Sequence, residues 1–103
     1  MILVNTSFIT GRDLEVITLV RGAVVQAKHI GKDILAGFRN IAGGEIIEYT
    51  EMMNEAREIA TTRMIQDAQK YGADAIINVK YTTAEISQGT AEVLAYGTAV
   101  KFK

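Results

Sequence analysis

Residues 33–77, DILAGFRNIAGGEIIEYTEMMNEAREIATTRMIQDAQKYGADAII, decide the fold. From Glu51 to Tyr71, the apolar residues Met52, Ala56, Ile59, Ala60, Met64, Ala68 and Tyr71 recur at spacings of three and four, which places them on one face of an α-helix. Thr50 is a good N-cap, and Glu51 and Glu55 fall where the helix dipole favours acids. Lys70 precedes Gly72, a residue suited to ending a helix. The spacing therefore predicts one long amphipathic helix over 51–71.

Upstream, Ile30, Ile34, Leu35, Phe38, Ile41 and Ala42 also recur at helical intervals, so a shorter helix is expected over 30–42, closed by Gly43-Gly44. Gly37 inside it lowers helix propensity by about 1 kcal/mol relative to Ala, which predicts a short or irregular element. Nearer the start, 1–5 reads as a short strand and Thr10-Gly11-Arg12-Asp13 as a turn. The β-branched run over 14–28 reads as a strand, with Gly22 marking a bulge, a bend or a hairpin turn. One bent strand and two strands both fit it.

Downstream, 74–83 and 90–102 read as strands joined through Ser87-Gln88-Gly89. In the last strand, Ala91, Val93, Ala95, Gly97 and Ala99 share one face, and Leu94, Tyr96, Thr98, Val100 and Phe102 share the other. A face of small residues lets a helix approach closely, and Ala56, Ala60 and Ala68 match it. The other face is largely apolar, and one long helix cannot cover both sides. An uncovered apolar patch of that size is rare on soluble monomers; the shorter helix is one cover for part of it, and neighbouring copies in a homo-oligomer are the expected cover.

At 103 residues, with no visible linker or repeat, 1–103 reads as a single domain. Eleven Lys and Arg nearly balance twelve Asp and Glu, with no basic stripe, so nucleic acid is not the expected partner. No Cys is present, which rules out disulfides and thiolate metal sites. The start of the chain lacks a cationic leader before its apolar residues, and no apolar run is long enough to span a bilayer. A cytoplasmic protein without membrane contact is expected.

Thr6, the segment Asp33…Arg39…Gly43-Gly44…Tyr49, Glu55-Ala56-Arg57, Gly72-Ala73-Asp74-Ala75 and Tyr96-Gly97-Thr98-Ala99-Val100 occur in order along nearly the whole chain. In this the sequence resembles the YbjQ-like family of small bacterial and archaeal proteins. The resemblance implies an α+β fold, a dodecin-subunit-like β-α-β-β unit with an antiparallel sheet packed on one long helix. It also implies assembly as a ring, typically a pentamer, and it carries the label of heavy-metal binding with no firm activity.

The label and the residues disagree, because heavy metals prefer thiolates. His29 is the single imidazole, and the methionines fall on the helix or at the start of the chain. Repeated around a ring axis, His29 with the carboxylates Glu45 and Glu48 would hold a divalent ion such as Zn or Mn, and Asp33 and Glu51 are further companions. Catalysis is not expected: no G-x-S-x-G elbow occurs, and a Ser-His-Asp set would have to recruit His29. No phosphate-binding glycine motif occurs either, although Lys28, Lys32 and Arg39 would draw an anion into a ring's central opening. Arg39, Tyr49 and Tyr96, with polar tips at positions shared with the family, are the expected lining of a ligand pocket between subunits. The expected function is thus a homo-oligomeric binding protein holding a small ligand or metal ion at its subunit boundaries. The alternative is a scaffold without a ligand, in which Arg57 bridges to Glu51 or Asp33 and Tyr49 fixes the helix entry.

Overall fold

A computed structural model describes residues 1–27, 41–42 and 45–103. In chain order the described elements are β1 (Ile2–Leu3), β2 (Leu14–Ala27), β3 (Ile41–Ala42), β4 (Glu45–Ile46), helix α1 (Ile47–Gln69), β5 (Ala75–Ser87) and β6 (Thr90–Phe102). Strands β1, β5, β6 and β2 form one sheet in that order. β5, β6 and β2 run antiparallel, but β1 lies parallel to β5, so the sheet is mixed and not wholly antiparallel. The long elements follow the order β2-α1-β5-β6, and α1 lies on one face of their sheet.

Helix α1 starts at Ile47, ahead of the expected cap at Thr50, because the chain enters it directly from β4, which pairs with β3. The expected end of the upstream helix at 41–42 is therefore strand; the rest of that helix, with Gly43 and Gly44, lies outside the described residues. At the other end, Gly72 adopts a left-handed φ of 67°. Its amide donates to the Gln69 carbonyl at 3.1 Å, and the Ala73 amide donates to the Ala68 carbonyl at 3.3 Å. These two bonds form a Schellman stop and satisfy carbonyls that the helix itself leaves open. Tyr71 falls in this stop, outside the helix, and is exposed rather than part of the buried stripe.

The buried side of α1 is Met52, Met53, Ala56, Ala60, Met64 and Ala68. It packs on Val20 and Val24 of β2 and on Ala91, Val93, Ala95 and Ala99 of β6, the small-residue face expected from the sequence. β2 is one strand, with an irregularity between Val16 and Thr18. Gly22 introduces no turn; a Cβ there would run into the carbonyl oxygen of Ala60 and the amide nitrogen of Met64. The glycine is needed for close approach of the helix backbone to the sheet.

Among the described residues, the opposite, outer face is covered at one end. There Val4, Ile9, Leu14 and Phe102 pack on Ala75, Ile77 and Val100, and the Arg12 guanidinium lies 4.4 Å from the Phe102 ring centroid. Backbone bonds from Val4 to Ile76, from Val79 to Val4 and from Asn78 to Thr6 tie this N-terminal segment to β5. Beyond it, Val16, Leu19 and Val25 remain 67%, 63% and 54% exposed, and the expected apolar excess is present on this side.

Candidate functional site

The register of the sheet builds the outer face row by row. Leu19 stands beside Thr98, Arg21 beside Tyr96, Ala23 beside Leu94 and Val25 beside Glu92. On the other flank of β6, Lys80 stands beside Tyr96 and Thr82 beside Leu94. Tyr96 is thus half-buried between two exposed cations, Arg21 and Lys80, neither of which forms an ion pair with a described residue. Directly opposed residues on one face have Cβ atoms about 5 Å apart, so this row is an aromatic platform with a positive charge on each side. The two cations, not the ring, make this row suited to an anionic group.

A second feature lies on the helix side. α1 sits mainly over β2 and β6 and leaves the outer half of β5 uncovered. Between them an open groove of about 560 Å³ is lined by Arg57, Glu58, Thr61, Thr62 and Tyr81. Thr61 Oγ1 donates to the Arg57 carbonyl at 2.7 Å and lies 2.8 Å from the Tyr81 hydroxyl. A hydroxyl has one proton, so the Tyr81 phenol donates to Thr61 and keeps its own oxygen open to a donor. Arg57 Nη1 donates to Asn54 Oδ1 at 2.9 Å, a neutral partner in place of the expected bridge to Glu51; Asp33 lies outside the described residues.

Of the expected metal ligands, His29 lies outside the described residues, as does the side chain of Glu45. Glu48 lies in the first turn of α1, half-buried, with Oε2 shielded from solvent. Among the described residues no group of three His, Cys, Asp or Glu gathers within metal-binding reach. Of the expected ligand pocket, Arg39 lies outside the described residues. Tyr49, at the start of α1, packs against the helix–sheet core, whereas Tyr96 stands on the outer face. The two tyrosines are on opposite sides of the sheet and do not meet within one copy. Arg21, Lys80 and Tyr81 escaped the sequence reading, since cross-strand register depends on bulges such as the one between Ile77 and Lys80.

No helix among the described residues is long and apolar enough to cross a membrane. A family model described as "Putative heavy-metal-binding" matches residues 1–103. A UPF0145 protein of Clostridium novyi is 58% identical over 101 residues, covering 98% of each chain. One of Alkaliphilus metalliredigens is 56% identical over 102 residues, covering 99% of each. A third, from the archaeon Methanosarcina acetivorans, is 50% identical and covers 98% of this chain and 96% of that one, so similar proteins are not confined to bacteria. A crystal structure of a DUF74-family protein of unknown function from Pediococcus pentosaceus superposes with a TM-score of 0.70 at 18% identity, covering 100% of this chain and 98% of that one. That likeness concerns the fold.

Proposed function

This chain belongs to the YbjQ-like family, and we propose that it is a non-catalytic, homo-oligomeric binding protein that holds a small ligand or a metal ion where its subunits meet. The carrying observation is the outer face: Val16, Leu19 and Val25 are more than half exposed on a sheet whose other side is packed by α1 along β2 and β6. A second copy seated there would bury them, each fully buried aliphatic side chain contributing about 1.5–3 kcal/mol.

The positions of Tyr49 and Tyr96 suggest how copies stack. Tyr49 is on the helix side and Tyr96 on the bare side, so a cleft containing both requires the bare face of one copy to lie on the helix side of the next. Charge favours the same stacking: Glu51, Glu55 and Glu58 are exposed on α1, while Arg21 and Lys80 flank Tyr96 on the bare face. Such head-to-tail contacts close into a ring when the rotation per step allows it, and the dodecin-like, pentameric arrangement expected from the family is one such ring. Arg39 is the third expected contributor to the cleft.

The donor set does not fit a thiophilic heavy metal, because the chain has one His and no Cys. The metal reading compatible with these residues is a borderline divalent ion, with His29, Glu45 and Glu48 brought together from neighbouring copies. A scaffold without ligand is the second reading, and the bare face supports it equally, since burying that face requires no ligand.

Native mass spectrometry of untagged protein purified without chelator tests both. A closed oligomer carrying a stoichiometric extra mass supports binding at the boundaries. A bare oligomer supports the scaffold. A monomer at every concentration overturns the assembly and both readings with it.

A further inference from the structure

The two long edges of the sheet are treated differently. The edge of β2 is closed by its own helix: the Arg21 amide donates to Asp67 Oδ2 at 3.1 Å, and Arg63 Nη1 donates to the Ala23 carbonyl at 2.6 Å. Among the described residues the edge of β5 is tied down at its start, by β1 and the backbone bonds to Val4 and Thr6. From 80 to 87 it pairs with no other described strand besides β6, and every residue there is exposed, with Tyr81 at 46% and Ile86 at 58%. A long unpaired edge is a template for another strand.

We propose that β5 joins two copies of this chain, pairing antiparallel with β5 of a second copy about a two-fold axis at Thr83. Among the described long strands, the contacts of Asp67 and Arg63 at the edge of β2 argue against β5-to-β2 pairing, which leaves β5 as the partner for β5. An antiparallel pair related by a two-fold axis normal to the sheet keeps each face on its own side, so like faces meet. Among the possible registers, the one centred on Thr83 sets Tyr81 across from Glu85 of the second copy, and Glu85 across from its Tyr81. Tyr81 and Glu85 both stand on the helix face, opposite Ala95 and Ala91. Glu85 of the second copy therefore enters the groove that Arg57 lines with Tyr81. Among the described residues Arg57 is tied to neutral Asn54, and Glu58, the groove's own acid, forms no ion pair with it. The open phenol oxygen of Tyr81 and the Arg57 guanidinium are both suited to the arriving chain. The contact is isologous, each copy supplying the same strand. It yields one sheet running through both copies with both helices on the same side. It centres on the edge of β5 and does not depend on the stacking proposed above, although Glu58 and Lys80 lie beside both contacts.

The chain has no Cys, so single cysteines report contacts without background. Thr83→Cys places two thiols beside the axis, where Cβ atoms about 5 Å apart need little movement to bridge. Lys80→Cys, on the same strand, places them far apart. Under mild oxidation Thr83→Cys is expected to form covalent dimer at least ~10-fold faster than Lys80→Cys. In sedimentation equilibrium, Glu85→Lys should weaken this association ~10-fold, and combining it with Arg57→Glu should restore it. Equal cross-linking rates at 83 and 80, or an association unchanged by Glu85→Lys, overturn the pairing. Leu19→Asp, which disrupts only the bare face, should leave the Thr83→Cys cross-link intact. A failure of stacking is thereby distinguished from a failure of edge pairing.

Discussion

Gly22 lies directly beneath Ala60: a Cβ on the glycine would overlap the Ala60 carbonyl oxygen and would stand 2.8 Å from the carbonyl carbon of Arg63. The atoms in the way are helix backbone, which cannot move aside as a flexible side chain would. Gly22→Ala must therefore lift α1 off the sheet, disturbing Ala60 and Met64, both fully buried. The expected cost is about 3 kcal/mol, near the upper part of the range for overpacking, and chemical denaturation measures it. A variant as stable as the parent would mean that the helix sits farther from β2.

Arg63 and Asp67 occupy the edge of β2 from above. Arg63→Ala frees the Ala23 carbonyl, at a cost of about 1 kcal/mol for a charge-assisted bond at an exposed position. The larger expected effect is on solubility, since an uncovered edge recruits other strands. Light scattering on heating should show earlier aggregation for Arg63→Ala than for Glu58→Ala, a neighbour on the same helix that makes no edge contact.

Asn78 carries a φ of 52° where β5 bulges. The bulge lies close to Gly97, whose Cβ would stand 2.7 Å from Ile76 Cγ2 and 2.9 Å from the Ile77 carbonyl oxygen. Asn tolerates the left-handed region better than a β-branched residue. Asn78→Val should destabilise by about 1–2 kcal/mol, and Asn78→Gly should be close to neutral. If both variants match the parent in thermal unfolding, the bulge is not held in this conformation.

The legible parts of the chain were those governed by short-range periodicity. Alternation along β6 separated Ala91, Val93 and Ala95 from Leu94 and Tyr96, and the stripe from Met52 to Ala68 matched the small face. Met53, outside the expected stripe, is buried with it. Gly22 left one strand or two open because β-strand glycines serve several purposes, and only the position of α1 reveals that this one admits a helix backbone. Tyr71 followed the helical spacing, but the stop at Gly72 turned it outward. The candidate site was less legible still. Arg21 and Lys80 are far apart in sequence, and they flank Tyr96 because of strand order and a bulge between Ile77 and Lys80, neither of which leaves a periodic signal.

Metal binding, finally, should depend on assembly. Of His29, Glu45 and Glu48, Glu48 alone has a described side chain, and no triad of ligating groups forms around it among the described residues. His29 and Glu45 can join Glu48 either within one copy or from neighbouring copies. These alternatives separate experimentally. If copies share the ion, Leu19→Asp, which should leave each subunit folded while weakening the bare-face contact, will reduce bound zinc in parallel with oligomer content. If one copy suffices, zinc per chain will be unchanged in the dissociated variant. His29→Ala should abolish binding in both cases while leaving the oligomer intact, as read by metal analysis of gel-filtration fractions. Zinc retained by His29→Ala would remove the single imidazole from the site and with it the metal assignment.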